Sequence, residues 1–177
     1  YQALPISITV EGANILTRSL IIFGQGAIRA HPWLLKEMEA ARDPRPGARK
    51  VFDKVLFSHV GHVISNMVRA WLLGMTGGFA TRAPVRGPSA RYFRQVTRLS
   101  AAFSFTSDLV LFLLGGKFKF KEKLSGRLAD ALIHLYMCTA VLKRFEDDGK
   151  PEADIPLLNW AMDDSLFTIQ ESLKGVL

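Results

Sequence analysis

Apolar positions recur with a helical period along almost the whole chain, and sustained alternation of the kind a sheet would need is absent. Leu16, Leu20, Phe23 and Ala27 repeat on one face of a segment that starts near Glu11 or Ala13 and runs to about Arg29, where His31-Pro32 ends it. A short helix is predicted from Trp33 to Arg42. Asp43-Pro44-Arg45-Pro46-Gly47 cannot continue it, because two prolines remove donors and the glycine raises the entropic cost. From Ala48 to Met75 the residues Val51, Val55, Val60, Ile64, Val68 and Leu72 mark the apolar stripe of a long amphipathic helix that stops near Gly74 to Gly78. After a polar loop, Thr81 to Pro88, helical spacing returns from Ser89 to Leu114 in Tyr92, Val96, Leu99, Phe103 and Leu113, with Gly115-Gly116 as the stop. Lys117 to Glu146 reads as the next helix, Asp147-Asp148-Gly149-Lys150-Pro151 as a turn, and Ile155 to Leu173 as the last helix, with Leu158, Ala161, Leu166 and Ile169 inward. Long helices joined by short turns predict an all-α fold, an antiparallel helical bundle. No repeat of fixed period argues for a solenoid.

Composition supports a folded chain. At 177 residues, 49% hydrophobic and 22% charged, the sequence can bury a sizeable core and is unlike a disordered one. The first residues, Tyr1-Gln2-Ala3-Leu4-Pro5-Ile6, carry no charged n-region or cleavage pattern and read as an internal cut rather than a native start or a signal peptide. Leu109 to Gly116 is far short of the ~20 residues a spanning helix needs, and Ser19 to Ile28 is broken by Gly24, Gln25 and Gly26, so no transmembrane helix is predicted. The single cysteine, Cys138, excludes an internal disulfide and fits a reducing compartment, with the cytoplasm as the default. A formal charge of +7 favours polyanionic partners: nucleic acid, anionic lipid or a phosphate-rich cofactor such as FAD or coenzyme A. The arginines and lysines are dispersed and no recognition motif accompanies them, so no nucleic-acid partner is expected.

Ser7-Ile8-Thr9-Val10-Glu11-Gly12-Ala13-Asn14 sets one carboxylate beside a glycine just ahead of an apolar helix. Glycine there lets backbone or ligand approach closely. An acid at that point also favours the positive end of a helix, by roughly 0.3 to 1 kcal/mol when exposed, and local physics alone names no enzyme. Gly24-Gln25-Gly26 is half of a dinucleotide fingerprint, but Arg29 occupies the place of the third glycine and no strand precedes it, so it is rejected as a nucleotide loop; two glycines in a helix suit close approach by another helix. His59 and His62 lie three apart on one helix, without a carboxylate or cysteine at matching spacing, so they are expected to be structural or surface residues and no metal is predicted. His31, before Pro32, suits an interaction with the last carbonyls of the preceding helix. His134, among Leu132, Leu135 and Tyr136, reads as a satisfied interior or boundary histidine, and Cys138 has no basic neighbour to make it a nucleophile. Gly116-Lys117-Phe118-Lys119-Phe120-Lys121-Glu122-Lys123 admits two readings. Phenylalanines could enter a lipid interface while lysines meet headgroups, or the phenylalanines pack inward at a helix start and the lysines stay solvated.

The run Pro5-Ile6-Ser7-Ile8-Thr9-Val10-Glu11-Gly12-Ala13-Asn14-Ile15-Leu16-Thr17-Arg18, continued by Phe23-Gly24-Gln25-Gly26-Ala27-Ile28-Arg29, resembles the bacterial FadE-type acyl-CoA dehydrogenases of fatty-acid β-oxidation, and the similarity extends over the remaining helices. In the wider superfamily the motif reads roughly Glu-Gly-Thr-x-x-Ile-Gln-Arg, which Glu11, Gly12 and Arg18 match. Ala13, Ile15 and Thr17 depart from it, so that Ala13 and Ile15 would offer a flavin only backbone or apolar contact. The resemblance implies that residues 1–43 close the α-helical domain carrying the catalytic glutamate and that residues 48–177 form a bacterial-type helical extension. It further implies FAD as cofactor, fatty acyl-CoA as substrate, an electron-transfer flavoprotein as partner, a homo-oligomer, and a reaction in which Glu11 takes the α-proton while the flavin accepts hydride from the β-carbon. Glu11 and Gly12 would meet the substrate, with the Glu11 N–H and a flavin ribityl hydroxyl stabilising the enolate at the thioester oxygen. Most cofactor and substrate contacts of such enzymes lie outside this stretch, so the chain alone is expected to be inactive. The competing class is a non-catalytic helical module for oligomerisation or attachment at the inner membrane surface, which leaves Glu11-Gly12 unexplained.

Overall fold

The computed structural model describes residues 26, 29 and 31–176. In chain order come α1 (Leu34–Arg42), α2 (Ala48–Met75), a Gly-rich turn, α3 (Ala90–Leu114), a 3-10 segment (Gly115–Phe120), α4 (Glu122–Asp147), a 3-10 turn (Glu152–Asp154) and α5 (Ile155–Lys174). No strand occurs among the described residues, so the all-α expectation holds. The expected helix ahead of Arg29 lies almost wholly outside the described residues.

Local chemistry sets the punctuation. Between α1 and α2, Asp43 takes both the backbone N–H and the guanidinium of Arg45, and Gly47 supplies the left-handed φ of 97° from which α2 starts. That guanidinium holds the Asp43 carboxyl at about 2, well below the usual carboxylate range. Gly78, at φ 85°, sits so close to Arg94 that a Cβ would come 3.1 Å from its carbonyl oxygen, which leaves only glycine at that crossing of the α2–α3 turn. One expected boundary is corrected. Helix α4 begins at Glu122 rather than Lys117, because Gly115 turns left-handed and the next residues wind as a 3-10 segment that buries Phe118 and leaves Phe120 open.

Contacts between neighbouring helices set their directions, and Gly175, just after α5, lies against Arg127 near the start of α4. Asn66 meets Ser104 and Gly77 meets Gln95 between α2 and α3; Cys138 meets Ser165 between α4 and α5; Ser89, just before α3, bonds Glu146 near the end of α4. These pairings make α2–α3, α3–α4 and α4–α5 antiparallel. The core lies where α3, α4 and α5 converge on Tyr92, Leu99, Leu128, Leu142, Met162 and Ile169. Each such fully enclosed aliphatic side chain contributes roughly 1.5–3 kcal/mol by leaving water. Cys138 lies in this core, and burial pushes its thiol up to about 11, which fits an inert residue.

Several inward assignments fall differently. Leu158, Leu166 and Ile169 are buried on α5 as expected, but Leu113 on α3 is 68% exposed and Val110 takes the inward place. On α2 the expected stripe faces outward: Val51, Val60, Ile64, Val68 and Leu72 are exposed, and Asn66 and Leu73 are the residues enclosed. The side turned to the partners runs through Val55, His59, His62, Asn66 and Leu73, so α2 is apolar nearly all round and shows the rest to solvent. His134 is not fully satisfied, since its Nδ1 is buried without a hydrogen-bond partner. Among the described residues one helical stretch, Ala90–Phe118, is by length and composition apolar enough to cross a membrane, although no single apolar run in it reaches that length; it carries the buried Asp108 and packs against α2, α4 and α5.

Candidate functional site

The first turn of α1 lacks the usual hydroxyl or acid that would cap it; its N-cap, Trp33, makes no side-chain cap bond. His31 takes over that task. Its Nδ1 accepts the backbone N–H of Trp33 at 3.2 Å and of Leu34 at 3.0 Å. This reverses the expectation that His31 would meet the end of the preceding helix: it caps the start of the next one. With Nδ1 accepting, neutral His31 carries its proton on Nε2 and donates to Asp108 Oδ1 at 3.0 Å. Asp108 is the sole acid of α3, its side chain 4% exposed, and its Oδ2 is buried with no partner among the described residues.

A second histidine–carboxylate pair lies alongside. His59 on α2 and Glu37 in the first turn of α1 meet at 2.7 Å through Nδ1 and Oε1. The His31 and His59 ring centroids are 4.7 Å apart, and His62 presents an edge to His31 at 5.8 Å. His62 is itself held by Asn66, whose amide also donates to Ser104 on α3. Helices α1, α2 and α3 are thus joined by a polar seam.

The seam floors a cavity of about 560 Å³. His31, Glu37, His59 and Asp108 form its polar side, and Leu34, Leu56, Val60, Ile64, Leu109 and Phe112 are among its apolar walls. Among the described residues no lysine or arginine lines it. The lining among the described residues thus sets two carboxylates where a pyrophosphate would call for cations.

Residues 28–177 match the family described as acyl-CoA dehydrogenase, C-terminal, bacterial type. The chain belongs to this family. No solved structure matches it. Within this acyl-CoA dehydrogenase domain the matched region includes every described helix and crosses the Asp43–Gly47 turn without a break.

The residues that resemblance assigns to catalysis, substrate and flavin contact, Glu11, Gly12, Ala13 and Ile15, lie outside the described residues, as does the motif residue Arg18. What the structure brings together instead is the His31, His59 and Asp108 group, which sequence spacing did not reveal because His31 and Asp108 are 77 residues apart. One signal was present. A lone aspartate within the apolar run of α3, followed by Leu109-Val110-Leu111-Phe112, needs a buried partner from elsewhere in the fold.

Proposed function

We propose that this domain is part of an enzyme that oxidises fatty acyl-CoA to trans-2-enoyl-CoA in β-oxidation, with Glu11 as the base that takes the α-proton. The observation that carries this reading is the acyl-CoA dehydrogenase family match over residues 28–177, which follows the Glu11-Gly12 motif and its Arg18 in the chain. Residues 1–43 close the catalytic α-domain and residues 48–177 are the extension. FAD, when bound, would supply the hydride acceptor for the β-carbon, and Ala13 and Ile15 are the residues assigned to contact it.

The chain's own part is proton transfer and polarisation. An acyl thioester α-proton is too weakly acidic in water for an ordinary carboxylate, so the Glu11 N–H holds the thioester oxygen as charge develops there. Gly12 leaves room for the substrate to approach. On this reading the isolated chain is inactive, the intact enzyme is a homo-oligomer in the bacterial cytoplasm, and an electron-transfer flavoprotein would be its electron acceptor.

Glu11→Gln in the intact enzyme should leave flavin content and thermal stability near those of the parent while abolishing dehydrogenation of acyl-CoA. Near-normal turnover would refute the role of Glu11.

A second reading, a helical module for oligomerisation or attachment at the membrane surface, is favoured by the open apolar residues of α2, among them Phe57 at 74% and Trp71 at 66% exposure. Charge reversal of Lys117, Lys121 and Lys123 should release the protein from anionic liposomes if the membrane branch is right. Unchanged binding of the reversed variant would discard that branch.

A further inference from the structure

We propose that His31, His59 and Asp108 form a binding site for one first-row divalent transition metal ion at the floor of the cavity between α1, α2 and α3. The ligand atoms these three offer all lie within 4.8 Å of one another, close enough to converge on one ion. Two imidazoles and one carboxylate form a borderline donor set suited to zinc, cobalt or nickel rather than to magnesium or calcium, which take oxygen ligands.

Two independent features point to a ligand rather than to a merely structural knot. The first is Asp108 Oδ2, a buried carboxylate oxygen with no hydrogen-bond partner among the described residues, on a side chain 4% exposed that belongs to the cavity lining. A buried acceptor left unpaired is costly, and a cation satisfies it. The second is the orientation of His59. Its Nδ1 meets Glu37 at 2.7 Å, which leaves the lone pair on Nε2 free for an ion. A ligating histidine commonly gives its other ring N–H to a carboxylate in this way, fixing tautomer and ring plane. Glu37 is therefore a positioning residue.

His31 decides how the ion must enter. Its Nε2 proton now goes to Asp108, so ligation moves that proton to Nδ1 and breaks the cap bonds from Trp33 and Leu34. Two backbone bonds at a half-buried helix end are a small loss beside metal–ligand bonds, and the freed N–H groups lie in the first turn, where water can take them. Metal binding is thus coupled to the start of α1. It is independent of the dehydrogenase reading, since Glu11 takes no part.

Cobalt(II) is the probe. Titrated into the whole 177-residue chain, it should give one saturable visible ligand-field band per molecule, erased by zinc. His59→Gln and Asp108→Asn should each weaken binding at least tenfold, Glu37→Gln about tenfold with unchanged stoichiometry, and His134→Gln not at all. Zinc should speed hydrogen exchange at the Trp33 and Leu34 amides. Circular dichroism checks each variant; should one unfold, the saturable band and the exchange change in the unaltered chain decide. Absence of saturable cobalt binding, or affinity undiminished in folded His59→Gln and Asp108→Asn, overturns the site.

Discussion

On α4 and α5 the apolar residues that share a face, Leu128, Leu142, Met162 and Ile169 among them, are wholly enclosed, whereas on α2 the equally regular set Val51, Val60, Ile64, Val68 and Leu72 stays open. Propensity and spacing do not separate the two regions, because both carry leucine, valine and isoleucine at helical intervals. What separates them is the partner. Helices α4 and α5 present apolar faces to each other and to α3, while α2 turns His59, His62 and Asn66 toward α1 and α3 and is held through hydrogen bonds. A hydrophobic stripe therefore marks a surface able to be buried, and the choice of which surface is buried belongs to the neighbouring helix.

The contrast can be broken by mutation. Truncating Ile169 or Leu128 to alanine opens a void in a sealed core and should cost about 2–5 kcal/mol in urea unfolding; a loss below about 1 kcal/mol would mean that this core is loosely packed. Asn66→Ala removes the donor that serves both Ser104 and His62, and should cost about 1–3 kcal/mol by leaving two half-buried acceptors without it. If it is neutral, the polar seam does not hold α2.

The sealed side also has a pH signature. Burial raises the Cys138 thiol from 9.0 in an unfolded chain to about 11, so the folded state keeps its proton longer. Its stabilising effect is complete below pH 9 and is lost as pH rises toward 11. Cys138→Ala should flatten that part of the stability profile, measured by thermal melts across the alkaline range. An unaltered slope would assign the loss to other groups. The smallest effect belongs to the open side: Val68→Ala and Trp71→Ala should each shift stability by no more than about 0.5 kcal/mol. A larger loss, with a melting temperature that rises with protein concentration, would show that a second copy covers this face.

Element limits were legible wherever proline and glycine set them. Ala48 and Met75 bound α2 as expected, because Pro44, Pro46 and Gly47 stop the chain before it and Gly77 and Gly78 turn it afterwards. The buried face of α2 was not legible, since a helix apolar nearly all round offers several stripes of equal merit. The start of α4 was misplaced for a related reason: the phenylalanine and lysine alternation fits a 3-10 segment as well as a helix start, and Phe118 packs inward from the former. The histidine–carboxylate seam depends on residues that only tertiary structure brings together, and of its members only Asp108, an acid inside an apolar helix, announced a need for company. Glu11 was identified through a motif rather than through packing, and it lies outside the described residues.

The wall shared by both regions, α3, has a consequence for synthesis. Its contacts with α2 are available as soon as it is made, but Tyr92 reaches Asn159 across 67 residues, and Ser89 reaches Glu146 across 57. A ribosome adding ~5–20 residues per second needs roughly 3–12 s to complete the chain from the end of α3 to the end of α5. For that interval the side of α3 that carries Leu99 and Val110 faces water on a nascent chain, next to an α2 whose outer surface is also apolar. The newborn protein therefore passes through a sticky stage before its last helix arrives, and protection by a chaperone is most needed while α4 and α5 are still being made.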